Sequence, residues 1–219
     1  GLPELGEDYR KSLENSKRIA SPGCYSTGAN VILKPLISSG ILSKNIPIII
    51  NAVSGYSGGG KSMISYFKEK DHEPFFNYGL NLNHKHLPEI IYHNNLALTP
   101  IFSPSVGNFI QGMIVSIPLH FSWFNNKVDT EKIQFLMEEF YSGANFIKVL
   151  KKDEGVSDKG YFRPDNLVGT NCLDISIFGN NDNNQIIISS RLDNLGKGAS
   201  GAAIQSMNIA LGFDETMGL

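Results

Sequence analysis

Residues 51–64, NAVSGYSGGGKSMI, are the stretch on which the fold turns. Positions 55–62 spell G-x-x-x-x-G-K-S, the pattern of a phosphate-cradling P-loop. The apolar run IPIII ahead of them reads as its strand and the residues after Lys61 as its helix. A working P-loop also needs a second strand ending in an acid and parallel βαβ units to build the phosphate crevice. The apolar runs of this chain end IIINAVS, ALTPIFS, DISIFG and IIISSRLD, so only Asp193 falls near a strand end. A second glycine loop follows that aspartate. Gly196, Gly198 and Gly201 spell the dinucleotide fingerprint G-x-G-x-x-G, but too few residues remain after them to close a crossover unit. Both named folds are therefore set aside. Either loop can still offer backbone amides to an anion at a helix start, so a phosphate-bearing ligand remains the expectation.

Working outward, residues 26–39 carry Ala29, Ile32, Leu33 and Leu36 at helical spacing, with Gly40 as a stop and Pro35 as an expected kink. Residues 46–53 read as a buried strand and 61–68 as a short helix. Residues 96–102 and 113–121 read as strands, the second alternating and, because of Pro118, assigned to a sheet edge. Residues 130–141 form the clearest helix, with Ile133, Leu136, Met137 and Phe140 on one face and Asp129 or Thr130 as cap. Residues 172–178 and 185–191 read as strands joined by the turn NNDNN, and 199–211 as a last helix. No well-patterned element is visible before residue 20. Strands outnumber helices and short turns join many of them. An α+β domain is expected, with a mixed, largely antiparallel sheet and helices on one face.

With 41% hydrophobic and 18% charged residues, 219 residues suffice for a proper core. A net charge of −2 offers no electrostatic footprint for nucleic acid or an acidic membrane, so neither is expected as a partner. No apolar run approaches the ~18 residues of a membrane span, and no secretory signal opens the chain. The two cysteines read as free thiols in a reducing cytoplasm. On its alternating run, Cys172 reads as core.

The chemistry concentrates at residues 20–29, ASPGCYSTGA. Cys24 directly precedes a helix, where the positive end of the helix dipole is expected to lower its pKa, and Gly23 lets the backbone present the sulfur. A buried structural cysteine is the competing reading. A thiolate nucleophile needs a proton-handling partner. Among five histidines, the segment NHKHLPEI brings His84, Lys85 and His86 within three residues. That cluster reads as a base beside a substrate-anchoring cation, as a solvated loop, or as a metal site made of His84, His86 and Glu89 or His93. No further ligand cluster supports the metal, and none is expected.

Taken in order, PGCYSTGA, NAVSGYSGGGK, HKHLPEI, PSVGNFIQGM and RLDNLGKGASGAAIQ resemble the N-acetyl-γ-glutamyl-phosphate reductases, over nearly the whole chain. The resemblance implies a catalytic domain like that of glyceraldehyde-3-phosphate and aspartate-semialdehyde dehydrogenases. It implies reduction of N-acetyl-γ-glutamyl phosphate to the 5-semialdehyde in arginine biosynthesis, with NADP as cofactor, a small-molecule acyl-phosphate substrate and a homo-oligomer, dimer or tetramer. Cys24 is implied as nucleophile and His84 as acid/base. Ser57, Gly58 and Asn194 are implied at the nicotinamide; Lys61, Lys85 and Gln111 are expected to hold substrate anions. Gln111 departs from the arginine that other members carry at this place.

The family also has an NADP-binding domain ahead of the cysteine. Residues 1–20 are accordingly expected to be a leading segment from it, 21–190 the catalytic and dimerisation domain, and 191–219 a loop and helix packing on the cofactor domain. On that expectation the chain alone is inactive or weakly active. Three rivals stand beside this reading. An aspartate-semialdehyde dehydrogenase would show P-N-C-T in place of PGCYST. A P-loop phosphotransferase would need Lys61 rather than Cys24. An isolated domain would keep the fold without activity.

Overall fold

A computed structural model describes all 219 residues, Gly1 to Leu219. Its centre is a seven-stranded sheet: β1 (Ile49–Gly55), β2 (Phe75–Asn77), β3 (Ile101–Gly107), β4 (Met113–His120), β5 (Ile147–Val149), β6 (Leu173–Asn180) and β7 (Gln185–Leu192). The strand order is β2-β3-β1-β4-β7-β6-β5. β1 with β3 and β5 with β6 run parallel; the other four pairings are antiparallel. The mixed, largely antiparallel expectation holds. Helices are α1 (Glu7–Glu14), α2 (Cys24–Ser38), α3 (Gly60–Tyr66), α4 (Leu87–Asn94), α5 (Thr130–Phe140) and α6 (Gly201–Ala210). None is long and apolar enough to cross a membrane.

Alternation along β4 decides which face is covered. Met113, Val115, Ile117 and Leu119 are buried, while Ile114, Ser116, Pro118 and His120 are only half-buried. The buried set meets α2, α4 and α5 in one continuous core that includes Ile32, Leu33, Ile90, Ile133 and Met137. α2 lies so close to the sheet that a Cβ on Gly28 would sit 2.7 Å from Val115 Cγ2 and 2.8 Å from Ser190 Oγ. Most of this helix is buried, as a central helix must be. The other sheet face stays open, with Phe75, Ile101 and Ile187 exposed on it.

Several sequence expectations are corrected. β4 is interior, between β1 and β7. Its Pro118 lies opposite Ile187 but beyond the β1 pairing, which ends at Ser116, so no ladder bond is lost there. The strand expected at 96–102 begins at Ile101, because Asn95 closes α4 in the left-handed conformation (φ 49°) and residues 96–100 cross to the sheet. Residues 1–20 are patterned after all: Leu2 and Leu5 enter the main core and α1 packs on α6. Cys172 stands just before β6 and is half-buried rather than core. The last helix is preceded by a π-helical turn, Gly196–Ser200.

Candidate active site

Cys24 is the first residue of α2, with Gly23 as its N-cap in extended conformation (φ −72°, ψ 145°). A cavity of about 210 Å³ opens at its side chain. Gly55, Gly58 and Gly59 of the glycine loop line it, together with Tyr78, His84, Lys85 and His86. The two segments singled out in the sequence, one from a strand end and one from the loop before α4, thus converge on one thiol.

The thiol's environment departs from the expectation of a lowered pKa. Burial pushes the Cys24 pKa up, and this outweighs the backbone N–H groups at the helix start and the nearby Lys85 charge, which pull it down. Glu89 adds to the upward shift. Its Oε2 accepts from the Gly23 N–H (3.1 Å) and the Ser26 hydroxyl (2.5 Å), so a carboxylate already occupies the positive end of α2.

Two imidazoles frame the site. His84 Nδ1 accepts the backbone N–H of His86 (3.2 Å), which in the neutral ring leaves the proton on Nε2. Burial and then Lys85 lower its pKa. His86 packs over Gly23: a Cβ there would lie 2.5 Å from its Cδ2. Its Nδ1 is buried without a hydrogen-bond partner, and burial, His84 and Lys85 hold its pKa down to about 4. The rings are 4.8 Å apart, edge to face, and His84 also meets Phe102, Tyr25 and Tyr78. Both histidines are therefore neutral near pH 7: His84 offers its Nε2–H while its Nδ1 lone pair is engaged, and His86 keeps an unpartnered Nδ1.

Of the residues expected from sequence, Cys24, His84, Lys85 and Gly58 share the cavity. Ser57 and Asn194 lie behind it, both buried: Asn194 Nδ2 donates to Ser57 Oγ (3.0 Å) and its Oδ1 accepts the Gly112 N–H (2.7 Å). Asn194 thereby ties the glycine loop to the start of β4. Lys61 is exposed on α3 and Gln111 donates to the buried Asp193 (2.6 Å); neither lines the cavity. Tyr25 and Tyr78 were not singled out by the sequence reading. Tyr25 adjoins Cys24 and donates to the Ser105 carbonyl (3.2 Å), whereas Tyr78 reaches the site from a loop no local pattern marks.

The residues that build this sheet and the cysteine at the start of its central helix fall in a semialdehyde-dehydrogenase family. Residues 24–194 match the family model "Semialdehyde dehydrogenase, dimerisation domain". Aspartate semialdehyde dehydrogenase II from Vibrio cholerae superposes with a TM-score of 0.71 at 15% identity, over 96% of this chain and 67% of that one. The Francisella tularensis aspartate semialdehyde dehydrogenase gives 0.68 at 12%, over 95% and 69%. At these identities the likeness speaks for the fold.

Sequence relatives narrow the class. N-acetyl-gamma-glutamyl-phosphate reductase 2 of Nostoc sp. is 43% identical over all of this chain and 71% of its own length. The N-acetyl-gamma-glutamyl-phosphate reductase of Brucella ovis is 40% identical over 97% and 70%. The chain belongs to the N-acetyl-gamma-glutamyl-phosphate reductase family.

Proposed function

We propose that this protein reduces N-acetyl-γ-glutamyl phosphate to N-acetylglutamate 5-semialdehyde, with NADPH as reductant and through a thioester on Cys24. The observation that carries the reading is the single cavity in which Cys24, two neutral imidazoles, one lysine and a glycine loop meet. The Cys24 thiolate attacks the acyl carbon, the carbon–oxygen bond to phosphate breaks, and phosphate leaves. The Cys24 and Tyr25 N–H groups, next to the Gly23 N–H that Glu89 holds, are proposed to stabilise the developing oxyanion.

Since burial raises the thiol pKa, its proton must be taken as attack begins, and a neutral imidazole is the group at hand. His84 is proposed as that acid/base, its Nδ1 giving up the His86 N–H to take the thiol proton. His86 is the second reading, favoured by its unpartnered Nδ1 and by its contact with Gly23. Lys85 is the cation of the cavity and is proposed to anchor the substrate's anionic groups. Lys61 and Gln111, expected to share that task, stand outside the lining.

The residues present fit a nicotinamide on the glycine loop. Gly58 and Gly59 present bare backbone to the cavity, and Ser57 and Asn194 brace that backbone from behind. When bound, the reduced nicotinamide supplies the hydride that converts the thioester to the aldehyde.

The open sheet face is proposed to meet a second copy of the chain, in keeping with a family described as a dimerisation domain. The proposed setting is the cytoplasm, in keeping with two unpaired cysteines.

The test is phosphate-dependent reduction of NADP with N-acetylglutamate 5-semialdehyde, in full-length protein, in this chain and in Cys24→Ser. Turnover in the full-length protein and its loss in Cys24→Ser are expected; turnover that survives Cys24→Ser would overturn the mechanism. In the same assay the slower of His84→Asn and His86→Asn identifies the acid/base.

A further inference from the structure

One buried charge has no part in the chemistry above. Lys197 is fully buried in the turn Gly196–Ser200. Its Nζ donates to Glu4 Oε1 (2.5 Å) and Gln205 Oε1 (2.6 Å) and stands 5.4 Å from the Phe146 ring centroid. An ammonium taken out of water needs a partner, and loss of either member strands the other charge in the core. The pair therefore fixes the turn's backbone firmly. Glu4 is fixed in turn: Gln205 Nε2 donates to the same Oε1 (2.9 Å) and to Glu215 Oε2 (2.9 Å). Glu215 Oε1 accepts from Arg10 (3.2 Å).

What this turn touches is the nucleophile. Gly198, the next residue, has no room for a side chain, since a Cβ would lie 2.7 Å from Cys24 Cβ. Its N–H donates to the Asp193 carbonyl (2.8 Å). One residue on, the Ala199 carbonyl accepts the Ser21 hydroxyl (3.3 Å), so the turn grips the segment ahead of Cys24 as well. A π-helical turn at this point is itself a form found often at functional sites.

We propose that the Lys197–Glu4 pair is a positioning device: it holds the Gly196–Ser200 turn against the Cys24 Cβ and so aims the thiol into the cavity. Lys197 and Glu4 act as positioning residues through Gly198. The inference rests on Cys24 being the nucleophile, and its test reads the thiol directly so that the two can fail separately.

The experiment measures the rate of Cys24 carbamidomethylation by iodoacetamide from pH 6 to 10 in full-length Lys197→Met, Glu4→Gln and the double variant, with Cys24→Ser as background, alongside kcat and KM. In variants that unfold cooperatively, the expectation is an altered alkylation rate or pH midpoint and a fall in kcat of about ten- to a hundredfold at unchanged KM. The double variant leaves no stranded ion, so it covers the case in which Lys197→Met alone does not fold. Folded double variant with wild-type alkylation profile and kcat would reduce the pair to a structural role and overturn the inference. A double variant that cannot fold would overturn it too, since the pair would then serve the whole domain. Activity surviving Cys24→Ser would sink the thioester mechanism instead, while the alkylation profile still scored the pair.

Discussion

Replacing Gly23 with alanine isolates a single contact at the heart of the site. The backbone there is extended, at φ −72° and ψ 145°, a conformation alanine adopts freely, so the substitution adds no backbone strain. The added methyl would lie 2.5 Å from His86 Cδ2 and 2.8 Å from Cε1. Carbon atoms rest about 3.5–4.0 Å apart, so the ring must retreat by roughly 1 Å. Overpacking of this kind costs about 1–3 kcal/mol of stability. A shift of about 1 Å in a group beside the nucleophile lowers kcat/KM by about a hundredfold. Urea denaturation and steady-state kinetics of the full-length protein read the two effects. Gly23→Ala combined with His86→Ala removes the clash, so stability returns while turnover stays low. Gly23→Ala with wild-type stability and kcat/KM within about threefold would refute the contact and the role drawn from it.

Three further outcomes follow from the same geometry. Cys24 alkylation in the free protein has its midpoint above the ordinary thiol value of about 8.5, since the thiolate fraction rises with pH and burial delays it; a midpoint below about 8 contradicts the burial argument. His86, held to about 4 in the fold against about 6.5 when unfolded, makes the unfolded chain the stronger proton binder between those values. Stability is therefore complete above about pH 6.5 and declines toward pH 4 by on the order of 2 kcal/mol, and His86→Asn flattens that decline in urea titrations at pH 7 and pH 4.5. Ile187→Lys, on the open sheet face, is expected to shift the protein toward monomer in analytical ultracentrifugation without loss of fold; an unchanged sedimentation coefficient would argue that this face is not the contact.

Where local pattern and tertiary context agree, the fold is legible from residues alone. Asp129 caps α5 by accepting the Lys132 N–H (2.8 Å), as its position before an apolar helix face implies, and the alternation of β4 names the buried face. The short strands β2 and β5 have three residues each and owe their existence to neighbours, Phe75–Asn77 to β3 and Ile147–Val149 to β6, so no local signal announces them. β3 is legible only at its first two residues, because the rest of IFSPSVG carries a proline, two serines and a glycine and is a strand because β1 pairs it along its length.

The site shows the same division. Cys24 and the His84–His86 cluster are visible as residue types at a helix start and before a proline. Tyr78 is not, because only the sheet brings its loop to the cysteine. The sign of the thiol shift was also beyond the sequence: the helix start is there, but Glu89 from α4 occupies it and the core buries the sulfur. The two glycine motifs resolve likewise. The first lines the cavity at Gly55, Gly58 and Gly59, while in the second Gly198 is a glycine because Cys24 leaves no room for anything larger.

The central claim is that Cys24 carries the acyl group. Its most direct test mixes full-length protein with N-acetyl-γ-glutamyl phosphate in the absence of NADPH, quenches in acid, and locates the adduct by peptide mass spectrometry. The account predicts one N-acetylglutamyl group on the Cys24 peptide, labile to hydroxylamine and absent in Cys24→Ser. An adduct on another residue, or turnover with no adduct on Cys24 at any quench time, would contradict it.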